Sequence, residues 1–163
     1  LAEIPFDPAL DLKLVRDVEA SPEALWRGWT DVDLLKQWFC PKPWRVIHAE
    51  LDLRPGGIFH SVMQGPNGER HEGPPGCYLE VVPHSRLSWT DALGPGFRPN
   101  AQSFMSATIG FDPLPGGSTR YTAVAYHATA ETRQTHLEMG FEAGWNAALD
   151  QLLELLGPSA DKG

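Results

Sequence analysis

The sequence predicts an α+β fold in which a curved antiparallel sheet of about seven strands wraps round one long carboxy-terminal helix. Three observations lead there. In residues 139–156, "MGFEAGWNAALDQLLELL", a period of 3.6 puts Phe141, Trp145, Ala148, Leu149, Leu152 and Leu156 on one apolar stripe. From residue 44 to residue 127 the chain reads as strands broken by Gly/Pro-rich turns. The links between the later strands are short, whereas parallel pairing needs crossovers of about a dozen residues or more.

Each element has a local reason. Alternation from Leu10 to Val18 gives a first strand, and Ser21-Pro22-Glu23 then announces a helix. The serine caps orphan amides, the proline suits the first helical position, and the glutamate favours the positive end of the dipole. This helix gathers Leu25, Trp26 and Trp29 near one side. It gives way at Thr30-Asp31, where the aspartate caps a second short helix, "VDLLKQWF", that stops before Pro41. The strand region divides into Trp44–Leu53, Ile58–Met63, Gly76–Val82, Leu87–Asp91, Phe104–Phe111 and Thr119–His127. Arg54-Pro55-Gly56-Gly57 and Gly65-Pro66-Asn67-Gly68 mark turns, as do Pro83-His84-Ser85, the Gly/Pro-rich segment 94–99, and Pro113-Leu114-Pro115-Gly116-Gly117. The long helix closes the chain.

Composition narrows the function classes. The 163 residues are 42% hydrophobic and fit one domain, taken as residues 10–157 between tails at 1–9 and 158–163. No apolar run approaches the roughly 20 residues of a membrane span, and "LAEIPFDPALDLK" lacks the basic start and apolar core of a secretory signal. The expectation is a cytoplasmic protein. Thirteen basic and 21 acidic residues give a net charge of −8, and the cations Lys13, Arg16, Arg27, Lys36, Lys42, Arg45 and Arg54 are interspersed with acids, which argues against nucleic acid as a partner. Cys40 and Cys77 match neither a redox CxxC nor a zinc pattern and read as reduced and structural. The six histidines, at 48, 60, 71, 84, 127 and 136, have no metal-binding spacing. Ser61 and Ser88 sit in no nucleophile elbow, Gly94-Pro95-Gly96 is no phosphate loop, and the sequence implies no metal and no cofactor.

Five segments in order carry a family resemblance: "SPEALWRGWTDVDLLKQWFCP", "DLRPGGIFHSVM", "PNGERHEGPPGCYLEVVPHSRLSWTDA", "GGSTRYTAVAYHA" and "GFEAGWNAALDQLLELL". Over about residues 10–157 the chain resembles the START-like (SRPBCC) superfamily, whose helix-grip fold has this element order. Within it, the chain is similar to the heat-shock protein 90 ATPase activator homologue (AHSA-like) family in its single-domain bacterial form. Phe39 stands where that family commonly has a second tryptophan, and the segment from Gly94 to Gln102 is longer and richer in proline and glycine than its pattern. The resemblance implies a carrier or sensor of apolar small molecules. It also leaves open a cyclase or hydrolase activity and a chaperone-regulating, protein-docking role.

Strand parity locates the expected pocket between helix and sheet. Phe59, Ser61 and Met63 share a face, as do Tyr78 and Glu80, Leu87 and Trp89, and Tyr121, Ala123, Ala125 and His127. The expected ligand wall is Trp38, Phe39, Phe59, Ser61, Met63, Tyr78, Trp89 and Tyr121, closed by Phe141, Trp145 and Leu149 of the helix. A cavity of about 300 Å³ or more is expected there. Among polar groups near it, Glu80, His60 and Tyr78 are the candidates for acid–base or polarising chemistry, with His127 and Tyr126 also of the right type. The favoured reading is non-catalytic binding of an apolar or aromatic molecule. A second copy of the chain stays open as a further partner.

Overall fold

The computed structural model describes residues 1–157. The tail at 158–163 lies outside the described residues. The chain runs β1 (Asp11–Val18), α1 (Pro22–Thr30), α2 (Val32–Trp38), β2 (Arg45–Leu51), β3 (Ile58–Gln64), β4 (Arg70–His71), β5 (Gly76–Val82) and β6 (Arg86–Thr90). Then follow β7 (Leu93–Gly94), a 3-10 turn over Pro95–Phe97, β8 (Arg98–Pro99), β9 (Ser106–Pro113), β10 (Thr119–Tyr126), α3 (Ala130–Glu138) and α4 (Phe141–Leu156). Seven strands form one curved sheet in the order β1-β10-β9-β6-β5-β3-β2, with β4 appended to β3 and every pairing antiparallel. This is the helix-grip α+β arrangement, with α4 held on the concave face.

The helix starts are those the sequence encodes. Ser21 Oγ accepts from Ala24 N–H at 3.1 Å, and Asp31 Oδ1 accepts from Asp33 and Leu34 N–H at 2.9 and 3.2 Å. Leu149 and Leu152 of α4 are 1% and 0% exposed and enter the same core as Leu25, Trp29, Leu35 and Trp38. Polar side chains fix the helix lengthwise. Arg16 of β1 reaches Asp150 at 2.8 Å, and Gln151 Nε2 donates to the carbonyls of Trp38 and Cys40 at 3.1 and 2.8 Å.

Two features differ from the sequence expectation. The expected helix at 139–156 begins only at Phe141, because Gly140 takes φ +93° and separates it from α3, a helix the sequence pattern did not reveal. His136 is the only buried residue of α3, so it carries no apolar stripe to detect. The strand expected at Phe104–Phe111 begins instead at Ser106, since the Asp91 carboxylate accepts the N–H of Phe104 at 2.9 Å and competes with ladder pairing.

Grip by α4 implies a clear asymmetry between its faces. Leu152→Ala should lower the unfolding free energy by about 2–5 kcal/mol, whereas Glu154→Ala on the exposed face should change it by about 0.5 kcal/mol or less. Urea titrations followed by far-UV circular dichroism measure both.

Candidate functional site

Curvature of the sheet turns the inward side chains of β3, β5 and β6 toward α1, α2 and α4. The result is a chain of aromatic rings. Trp29 lies at its centre, with centroids 4.9 Å from Trp38, 5.6 Å from Phe39 and 5.2 Å from Trp89. Phe59 stacks on Trp89 at 4.9 Å and meets Phe39 at 5.8 Å and Tyr78 at 5.2 Å. The structure thus brings Trp38, Phe39, Phe59, Tyr78 and Trp89 together, with Leu149 in the same core. Tyr121 joins through its hydroxyl, which accepts from Trp29 Nε1 at 3.1 Å. Ser61 and Met63 are half-buried in β3, paired with Ala49 and Val46 and on the same side as Phe59. Phe141 stands apart, in a second cluster with Leu12 and Ala125, while Trp145 packs against both this cluster and the main core.

Trp29 is the residue that reading the sequence left off the wall. Its spacing from Leu25 already marked it as inward-facing, but its distance from the sheet strands hid its place at the middle of the rings. Gln151 was missed for a different reason, since a polar residue on an amphipathic helix reads as solvent-facing. Both of its amide ends are used, Oε1 accepting from Lys42 N–H at 2.9 Å, so it pins the segment that carries Phe39.

The polar candidates are placed on two sides of the sheet. Tyr78 pairs with Trp89 while Glu80 pairs with Ser88, and a bulge at Leu79 makes up the count. Because Trp89 and Ser88 are successive residues, Glu80 lies on the opposite face from Tyr78, correcting the parity read from sequence. Glu80 sits 3.8 Å from Arg86 on the convex side. His60 follows Phe59 in β3, so it also faces outward, 3.7 Å from Glu72. Neither forms an acid–base pair with Tyr78. Tyr78 is fully buried, and among the described residues its hydroxyl has no hydrogen-bond partner. Burial pushes its ionisation, like that of Tyr121, well above the ordinary tyrosine range, so both remain neutral donors. Burial also pushes the Cys40 thiol up to about 11, which keeps it protonated and a poor nucleophile at neutral pH.

Two open cavities lie away from the rings. One, of about 400 Å³, is bounded by the turn Asp52–Ile58 and by Pro95, Gly96 and Phe97 of the long Gly/Pro-rich segment. The other, of about 370 Å³, lies between the start of α1 and the loops at His84 and Pro113. None of the expected wall residues lines either one. Between α4 and the sheet, the side chains of Trp29, Trp38, Phe39, Phe59, Tyr78 and Trp89 pack against each other. Among the described residues no cluster of three or more His, Cys, Asp or Glu is placed to hold a metal ion, and no helix is long and apolar enough to cross a membrane.

Comparison with known proteins gives a consistent picture. The family model described as Activator of Hsp90 ATPase homolog 1-like protein matches residues 19–157. Protein NE0264 from Nitrosomonas europaea is 46% identical, covers 93% of this chain and 96% of its own, and superposes with a TM-score of 0.88. Protein Ms6760 from Mycobacterium smegmatis is 27% identical over 95% of this chain and 96% of its own, with a TM-score of 0.74. An AHSA1-like protein from Aeromonas hydrophila, 20% identical over 90% of this chain and 92% of its own, shares the fold at a TM-score of 0.64. Among curated proteins no significant match is found.

The two buried tyrosines should respond oppositely to loss of the hydroxyl. Tyr78→Phe removes an unpaired polar group and should raise the unfolding free energy by about 1–3 kcal/mol, while Tyr121→Phe strands the Trp29 N–H and should lower it by about 1–3 kcal/mol. Paired denaturant titrations of the two variants test this.

Proposed function

The chain belongs to the Activator of Hsp90 ATPase homolog 1-like family, and on that premise we propose that it is a non-catalytic binding module for a small apolar or aromatic molecule that carries one hydrogen-bond acceptor. The observation that supports the reading best is the Tyr78 hydroxyl, a buried donor without a partner among the described residues, on a ring packed against Phe59 of the aromatic cage. Such a group costs about 1–3 kcal/mol in the ligand-free protein, and an acceptor brought by a ligand recovers it. Binding is an exchange rather than the filling of a void. Phe39, half-buried and at the end of α2, is the ring that yields its place, with Met63 and Ser61 forming the rim on the β3 side.

Electrostatics favour binding over catalysis. The carboxylate and imidazole that an acid–base mechanism would draw on, Glu80 and His60, lie across the sheet from the cage. Within the cage the donors are neutral tyrosine hydroxyls, suited to orienting a ligand. A ligand burying about 400 Å² of apolar surface gains about 10 kcal/mol gross, of which at least about 4 kcal/mol is lost to association. The balance corresponds to a dissociation constant on the order of 10–100 μM.

Titration with prodan, a neutral naphthalene carrying a carbonyl acceptor, should give saturable fluorescence enhancement in that range, and Tyr78→Phe should weaken it about tenfold. Native mass spectrometry with prodan in excess should show a one-to-one complex. Unsaturable enhancement, or equal affinity in the variant, would count against the cage as the site. A change in the ATP turnover of a purified chaperone on addition of the protein would favour the docking role instead.

A further inference from the structure

Helix α3 is fastened to the rest of the protein chiefly through one side chain. His136 is 7% exposed, and every other residue of the helix is half-buried or exposed. Its Nδ1 lies 2.9 Å from Nε2 of His127, whose Nδ1 in turn lies 2.8 Å from the Leu10 carbonyl. A carbonyl only accepts, so His127 carries a proton on Nδ1; with both rings neutral, its Nε2 then accepts and His136 donates from Nδ1. Rings surround the pin, with His136 centroids 4.9 Å from Phe104, 5.2 Å from Phe141 and 6.2 Å from Trp145.

The charged groups nearby offer a positive charge on His136 little compensation. From α3 itself Arg133 donates to the Asp11 backbone carbonyl at 3.1 Å, adding a cation on the same side. The buried Asp11 carboxylate of β1 is engaged by Asp7 N–H at 2.8 Å. On the Phe104 side, the Asp91 carboxylate is occupied by the N–H groups of Phe104 and Met105 and by the Ser103 hydroxyl. Glu131, Glu138 and the Glu142 of α4 are exposed to solvent.

We propose that α3 is an acid-released latch: proton uptake by His136 expels it from its seat beside His127, frees α3 as a unit, and uncovers the wall made by Phe104, Phe141 and Trp145. Gly140 at φ +93° supplies the joint between α3 and α4. Burial, followed by the neighbouring His127, pushes His136 from 6.5 down to about 4. The free helix therefore binds the proton more readily than the docked one. Docking is at full strength above about pH 6.5 and weakens as the pH falls toward 4, by roughly 80-fold at pH 4.5. The latch stands on this geometry whether or not the aromatic cage takes a ligand.

Hydrogen exchange of the full chain, corrected for intrinsic rates and read at pH 7.5 and 4.5, tests it. Protection across 130–138 should fall by roughly 80-fold at pH 4.5 while β9, β10 and the carboxy-terminal half of α4 keep theirs. His136→Gln retains a donor toward His127 but does not titrate, so its α3 should exchange alike at both pH values. Equal α3 protection in the wild type at both pH values would overturn the proposal, as would an undiminished acid response in the variant or joint loss from α3 and the sheet. Should the variant be undocked throughout, imidazole ¹⁵N NMR of the wild type decides. A His136 that is an Nδ1–H tautomer at pH 7.5 and titrates well below 6.5 together with release of α3 supports the latch, and one titrating near 6.5 with α3 still docked ends it.

Discussion

The grip on α4 depends on the seating of Trp29. Its indole touches Trp38 and Phe39 from α2 and Trp89 from β6, while its N–H is satisfied by Tyr121 of β10. One side chain therefore joins both short helices to two strands that are not neighbours in the sheet. The sheet does not hold α4 alone, since α1 and α2 both pack on it as well and α2 also packs on β2. Trp29 makes that helix pair continuous with the sheet. Buried indoles contribute large apolar areas with little loss of rotamer freedom, so this arrangement suits a small domain.

The two halves of α4 meet different surroundings. Its carboxy-terminal half carries Leu149 and Leu152 into a core of aliphatic and aromatic residues, and Gln151 ties it to the end of α2. Its amino-terminal half, with Phe141 and Trp145, packs in a smaller cluster next to the histidine pair. Hydrophobic burial is insensitive to pH, whereas an imidazole seat is not. The helix is thus anchored permanently at one end and conditionally covered at the other.

Much of this architecture was legible in the sequence because it rests on strong local signals. The stripe of α4, the Ser21 and Asp31 caps and the Pro-Gly-Gly turn each have one good physical solution, and the structure adopts it. The site was less legible because its determinants are not periodic. A bulge at Leu79 carries no glycine or proline to announce it, yet it sends Glu80 to the convex face. Helix α3 has no stripe because a single histidine does the docking, and that histidine acquires meaning only beside His127, nine residues earlier. The packing of the rings was beyond pattern reading altogether. Parity says which side chains point inward but not whether they leave room.

The long Gly/Pro-rich segment after β6 addresses a weakness that the curvature creates. Strands β3 and β5 pair over only Ile58↔Cys77 and Phe59↔Gly76, so the sheet has a seam where few ladder bonds cross. The segment spans that seam on the convex side. Gly96 N–H donates to the Gly56 carbonyl at 2.8 Å on one side of it, and Asn100 Nδ2 donates to Pro75 and Asp91 at 3.0 and 2.9 Å on the other. Gly56 leaves space for the approach, since a Cβ there would lie 2.8 Å from the Phe97 ring, and its φ of +82° suits only glycine without strain. Because Tyr78 is hydrogen-bonded through its backbone to Gly56 and Gly57, a strap that fixes this turn also fixes the strand bearing the unpaired hydroxyl. The attachment of the outer segment and the position of Tyr78 are linked through the same few backbone bonds.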